Sequence, residues 1–128
     1  AVFFLDLQLT DAQTGILSKN RYPFTRSENL APLLSLPPTL ISVETIQDDE
    51  RWRVHILNEG DATAFGVGLE VPLDVNSVQR VYLSDNHFSL FPQEGRTINV
   101  EWRASPRAGQ LLQVSGWNSN QVIVNHEG

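Results

Sequence analysis

The sequence predicts an all-β domain: an immunoglobulin-like antiparallel β-sandwich of about eight or nine short strands. Three observations carry that prediction. Apolar and polar residues alternate with a period of two in one segment after another. Turn residues recur roughly every eight to twelve positions, and no stretch shows the apolar period of an amphipathic helix. The 128 residues are expected to form one domain, large enough to bury a core without disulfides or metal.

Each element follows from its own residues. In residues 2–10, Phe3, Leu5, Leu7 and Leu9 share one face and Asp6, Gln8 and Thr10 the other, the pattern of a half-buried strand. Val2 and Phe4 fall opposite the apolar set, where they would be exposed and suit an interface. Residues 11–15 form a turn and 16–19 begin a second strand, which predicts a hairpin. Residues 20–38 contain Pro23, Pro32, Pro37 and Pro38 and the cluster Leu30, Leu33, Leu34 and Leu36. They read as a long crossing connection with one helical turn near residues 29–34.

The β-branched residues Thr39, Ile41, Val43, Thr45 and Ile46 predict a strand over residues 39–47. Asp48, Asp49 and Glu50 form its turn. Trp52, Val54 and Ile56 then alternate with Arg51, Arg53 and His55, which suits a central strand with Trp52 inward. After a turn at 58–61, Phe65, Val67, Leu69 and Val71 alternate with Ala64, Gly66, Gly68 and Glu70. Glycines inside a strand predict a bulge or the close approach of another backbone. Further strands are expected at 78–83, from residue 97 with Ile98, Val100 and Trp102 on its apolar face, at 111–114 and at 122–124. The last two flank a Gly-Trp-Asn-Ser-Asn loop at 116–120.

Composition narrows the function. A net charge of -6 and a pI near 4.9 argue against nucleic acid, which requires clustered Lys and Arg, and against an anionic membrane surface. No apolar run approaches the roughly 18 residues of a membrane-spanning helix. The absence of cysteine removes disulfide frameworks, thiolate zinc sites and cysteine nucleophiles, and leaves the compartment open. There is no methionine, and the chain opens directly in an apolar run. A piece of a longer polypeptide is the expectation.

Candidate chemistry is sparse. Asp85 and Glu94 flank one corner, as two carboxylates must around a glycosidic bond, yet turn capping by Asp85 and a solvated Glu94 explain them more simply. Asp48, Asp49 and Glu50 lack the alternating ligands and glycine of a calcium loop. His55, His87 and His126 show no zinc spacing, and Ser84 lacks a nucleophile elbow. Neither catalytic nor metal nor cofactor residues are expected. Trp52 and Trp102 fall on apolar faces and read as core. Trp117, in its polar loop, reads as exposed, either a platform for a sugar ring or a contact to a neighbouring domain.

The segment Tyr82-Leu83-Ser84-Asp85-Asn86-His87-Phe88-Ser89-Leu90-Phe91-Pro92-Gln93-Glu94-Gly95-Arg96-Thr97 is a corner between strands, with turn chemistry at both ends. It resembles a segment of the closing immunoglobulin-like domain of glycoside hydrolase family 2 enzymes of the exo-β-D-glucosaminidase and β-mannosidase type. The opening Phe3-Phe4-Leu5, residues 15–18, Asn20-x-Tyr22, and Asn58-Glu59-Gly60 followed by Ala64-Phe65 are similar to that family in the same order. His87 stands where the family has Tyr, Gln93 where it has Gly, and Pro23-Phe24 where it has Trp.

The resemblance implies a non-catalytic accessory domain, the C-terminal part of a larger multidomain glycosidase whose catalytic glutamates sit on a (β/α)8 barrel outside this chain. Its implied partners are the other domains of the same enzyme. The alternative is a carbohydrate-binding module in which Trp117 and the turn Asp85, Asn86, His87 touch sugar. A pilus-like sandwich would need exposed edges for strand exchange, which the sequence does not favour.

Overall fold

A computed structural model describes residues 2–25, 31–72, 81–103, 106 and 110–126. Along the chain run β1 (Val2–Asp11), β2 (Gly15–Thr25), α1 (Ala31–Leu34), β3 (Ile41–Asp48), β4 (Arg51–Asn58) and β5 (Ala64–Glu70). There follow β6 (Val81–Leu83), β7 (Phe88–Leu90), β8 (Gly95–Trp102), β9 (Leu111–Ser115) and β10 (Gln121–Asn125). The described residues therefore hold ten strands, where the sequence suggested eight or nine. The expected strand start at 78–80, the start of the helical turn at 29–30 and most of residues 105–109, where Ser105, Pro106 and Gly109 predict a turn, lie outside the described residues. The chain divides into two units, Ala1–Leu36 and Pro37–Gly128.

In the first unit β1 pairs antiparallel with β2, Val2 opposite Thr25 and Asp11 opposite Gly15. Asp11 shapes the connecting turn by accepting the Gln13 amide at 2.7 Å. The second strand runs six residues beyond the expected stop at 19, because the long first strand offers a ladder all the way to Thr25. Pro23, assigned from sequence to a crossing connection, sits opposite Phe4; a two-stranded ribbon consists of edges, where a residue without N–H is tolerated.

Burial in this hairpin reverses the expectation. Phe3, Leu5, Leu7 and Leu9 are 46–61% exposed, whereas Val2 and Phe4 are half-buried. Alternation identifies an apolar face but carries no information about which layer covers it.

The second unit is the sandwich. One sheet has the order β10-β9-β5-β7, the other β3-β4-β8-β6, and every adjacent pair is antiparallel. The facing sides of both sheets supply one continuous core. Trp52, Val54, Ile56, Ile98 and Val100 come from one sheet, and Val67, Leu69, Leu90, Leu112 and Val114 from the other. Each fully buried side chain of this size contributes about 1.5–3 kcal/mol through removal from water. Trp52 and Trp102 meet edge to face with ring centroids 5.0 Å apart, and His126 stacks on Trp52 at 5.7 Å. Both tryptophans are core, as the alternation in their strands predicts.

In β5 the alternation breaks. Ala64 and Val67 are both buried while Phe65 is half-buried, because the register shifts between Ala64 and Val67. Gly66 sits at that shift with φ +64, a left-handed conformation that a side chain would strain. The predicted bulge is there, and it moves the inward face by one residue.

Where the strands stop, asparagine takes over. Asn58, at the end of β4, is fully buried. Its Nδ2 donates to Ala62 O at 2.8 Å and Leu90 O at 3.0 Å, and its Oδ1 accepts from Thr39 Oγ1 at 2.7 Å and Gly60 N at 3.1 Å. Its backbone N–H donates to Glu94 O, and its carbonyl accepts from Gln93 N. One residue thus joins the 58–63 turn, β7, the 91–94 turn and the segment entering β3. Gly60 must be glycine here, since a Cβ would lie 2.0 Å from Thr39 Oγ1.

Asn58→Ala is expected to destabilise the sandwich by about 2–4 kcal/mol, because buried partners lose their bonds with no water to replace it. Urea unfolding followed by tryptophan fluorescence checks this. A loss below about 1 kcal/mol would show the network to be dispensable.

Candidate functional site

The sequence candidates fall in two places. Trp117 lies in the turn between β9 and β10, and Asp85, Asn86 and His87 form the corner between β6 and β7. Trp117 N–H donates to Phe65 O at 2.8 Å, whereas Asn86 binds Leu69, four residues further along β5. That separation is about 13 Å at the rise of a β-strand, and the two groups flank opposite edges of β5. They do not form one site.

The Trp117 turn is built from its own polar residues. Gly116 N–H donates to Ser119 Oγ at 2.8 Å. Asn118 Oδ1 accepts Phe65 N–H at 2.9 Å, and its Nδ2 donates to Thr63 O and Pro37 O, both at 2.7 Å. Thr39 N–H donates to Asn118 O at 2.9 Å. Asn120 brackets Ile41, accepting its N–H at 2.8 Å and donating to its carbonyl at 3.1 Å. Trp117 itself is 61% exposed on this pinned backbone. Beside the turn, residues 37–40 and 60–62 border an open depression of about 480 Å³ that includes exposed Leu40 and Asp61. An exposed indole on a pinned backbone, with a carboxylate and apolar surface nearby, offers a stacking face for a flat apolar partner.

At the corner every candidate has a structural task. Ser84 accepts Asn99 N–H at 2.8 Å and donates its own N–H to Asn99 O at 3.0 Å. Asp85 accepts Asn86 N–H at 2.8 Å and Arg96 Nη1 at 2.9 Å. The Arg96 guanidinium in turn lies 4.5 Å from the Phe88 ring centroid, a cation–π contact. Asn86 reproduces a missing strand: its Oδ1 accepts Leu69 N–H at 2.7 Å and its Nδ2 donates to Leu69 O at 3.0 Å. His87 has φ 55 and lays its exposed ring against Gly68. The left-handed region is costly for most residues and several-fold enriched in Asn, Asp and His.

The carboxylate pair is likewise absorbed. Glu94 Oε1 accepts Phe91 N–H at 3.1 Å and so closes the 91–94 turn, while Asp85 caps the other end of the corner. His55 Nδ1 is 2.9 Å from Thr97 Oγ1 on the outer sheet face. Among the described residues no group of three or more His, Cys, Asp or Glu is gathered as a metal site, and no helix is long and apolar enough to cross a membrane.

Residues 20–119 match the family model of the exo-β-D-glucosaminidase Ig-fold domain. The chain belongs to that family. No curated protein sequence is significantly similar to it. Among solved structures, this Ig-fold domain is similar to the exo-β-D-glucosaminidase CsxA, studied with a glucosamine-configured castanospermine and an amino-australine analogue. The TM-score is 0.74 and the identity 20%, over 98% of this chain and 18% of that one. A complex of Amycolatopsis orientalis exo-chitosanase CsxA with PNP-β-D-glucosamine gives a TM-score of 0.76 and 19% identity over the same shares. At these identities the likeness establishes the fold. The Ig-fold domain spans 18% of the length of the solved chains it matches.

The site residues that sequence reasoning missed are Asn118, Asn120 and Asn58. They were visible as turn formers, but sequence does not show that their amides reach across to other strands. Trp117→Ala is expected to change stability by less than about 0.5 kcal/mol, and Asn118→Ala to cost about 2 kcal/mol, in thermal or urea unfolding. Equal effects would mean that the indole holds the turn as much as the amide does.

Proposed function

We propose that this chain is an accessory, structural domain of a glycoside hydrolase of exo-β-D-glucosaminidase or β-mannosidase type. The catalytic barrel of that enzyme lies outside these 128 residues. The observation that carries the reading is the Ig-fold family match over residues 20–119, combined with the domain's small share of the larger glucosaminidase chains. The geometry supports it in a second way. Asp85, Glu94, Asn86 and Asn118 are committed to holding turns, which suits a scaffold whose polar groups are spent on shape. Its task is to pack against other domains of its own polypeptide, with Trp117 and the corner at Asp85, Asn86 and His87 as contact candidates.

One observation favours a second reading, a carbohydrate-binding module: Trp117 is exposed on a pinned turn beside an open depression. A sugar ring would stack on that indole, whose backbone the turn already holds.

The isolated chain is expected to hydrolyse neither p-nitrophenyl β-D-glucosaminide nor the corresponding β-mannoside, while the longer polypeptide carrying it hydrolyses one of them. Titration of the isolated chain with chitosan and mannan oligosaccharides should leave tryptophan fluorescence unchanged up to millimolar sugar. Saturable quenching that disappears in Trp117→Ala would replace the accessory reading with the binding-module one.

A further inference from the structure

The β1–β2 hairpin presents a face whose β1 side lies ahead of the family match. Phe3, Leu5, Leu7 and Leu9 project from β1, and the register sets Phe24 opposite Phe3 and Tyr22 opposite Leu5. All six side chains are between 46% and 61% exposed. The other face is fixed by a polar pair: Arg21 donates to both carboxylate oxygens of Asp6, its register partner, with Nη2 to Oδ2 at 2.9 Å. The hairpin is thus two-sided. A contiguous apolar stripe on a long ribbon is a hazard in a free protein and normal at an interface.

We infer that this apolar face is a docking surface for another domain of the same polypeptide, which covers it with an apolar sheet or helix face. The inference rests on the proposed reading of the chain as one domain of a longer enzyme, and it names the surface used. Two observations select that occupant. The Ig-fold match begins at residue 20, so Phe3, Leu5, Leu7 and Leu9 lie outside it, yet the structural matches cover 98% of the chain and therefore run through the hairpin. More than four fifths of each of those solved chains lies outside the matched region, and so supplies further domains. A second copy of this chain is the poorer fit, because a net charge of -6 on each copy opposes self-association. The face also differs from the one that alternation alone would nominate: Val2 and Phe4 are the half-buried pair, and the Phe3 to Leu9 set is the one left for a partner.

Hydroxyl-radical footprinting read by mass spectrometry tests this without any variant. Oxidation of Phe3, Leu5, Leu7, Tyr22 and Phe24 is measured in the isolated chain and in the longer polypeptide that carries it. The expected result is severalfold lower labelling of these residues in the longer polypeptide, with Tyr82 on the sandwich serving as an internal reference. Equal labelling in the two forms overturns the inference. So does protection already present in the isolated chain, and if sedimentation then shows a dimer, the occupant is a second copy. Glycosidase activity of the longer polypeptide is scored separately. Protection without activity upholds the docking face and removes the glycosidase reading, whereas activity without protection does the reverse.

Discussion

A β-sandwich must stop its strands somewhere, and each stop strands backbone N–H and C=O groups that are costly to bury unpaired. In this domain asparagine side chains meet that demand. The side-chain amide carries one donor group and one acceptor, as a peptide does, so it can stand in for a neighbouring strand. Asn86 and Asn120 do so literally, each binding both the N–H and the C=O of one residue, Leu69 and Ile41. Asn118 and Asn58 extend the principle to several segments at once. The apolar core provides most of the driving force, but it is non-directional, and the amides decide which turns sit against which strands.

The same device closes one side of the sandwich. β3 and β10 are edge strands of different sheets, and Asn120 on Ile41 and Gln47 on the carbonyl of Asn125 link them. An edge occupied by side-chain amides is a poor template for another chain, so the sandwich is protected from edge pairing there. Function follows from what remains unoccupied. The polar groups of the corner and the 116–120 turn are largely consumed internally, and exposed apolar surface remains at Trp117, Leu40 and the hairpin face. Such a balance suits the accessory role proposed for this member of the exo-β-D-glucosaminidase Ig-fold family.

Much of this was legible in the sequence, and the parts that were not share a cause. Period-two alternation located β4 and β8 and assigned Trp52 and Trp102 to the core correctly, because a strand's two faces are fixed by its geometry. The glycines of β5 announced a bulge, but alternation could not say that the face would shift from Phe65 to Ala64. Pro23 and Asn20 argued for a loop, and pairing with β1 overrode them. Asn86, Asn118 and Asn120 were visible as turn residues. Their partners lie 17 to 81 positions away, at distances where local propensity is silent. Burial of the hairpin faces was misjudged for a related reason, since a pattern of two faces does not name the layer that covers either.

The most direct measurement is residue-resolved amide hydrogen exchange on the isolated chain at Ile41, Phe65 and Leu69, whose N–H groups donate to asparagine side chains rather than to a neighbouring strand. If the amides act as substitute strands, these three exchange only through global unfolding, as slowly as Val54 and Val100 in the paired core. Exchange at the rate of exposed turns would contradict the account and leave the sandwich held by its apolar core alone.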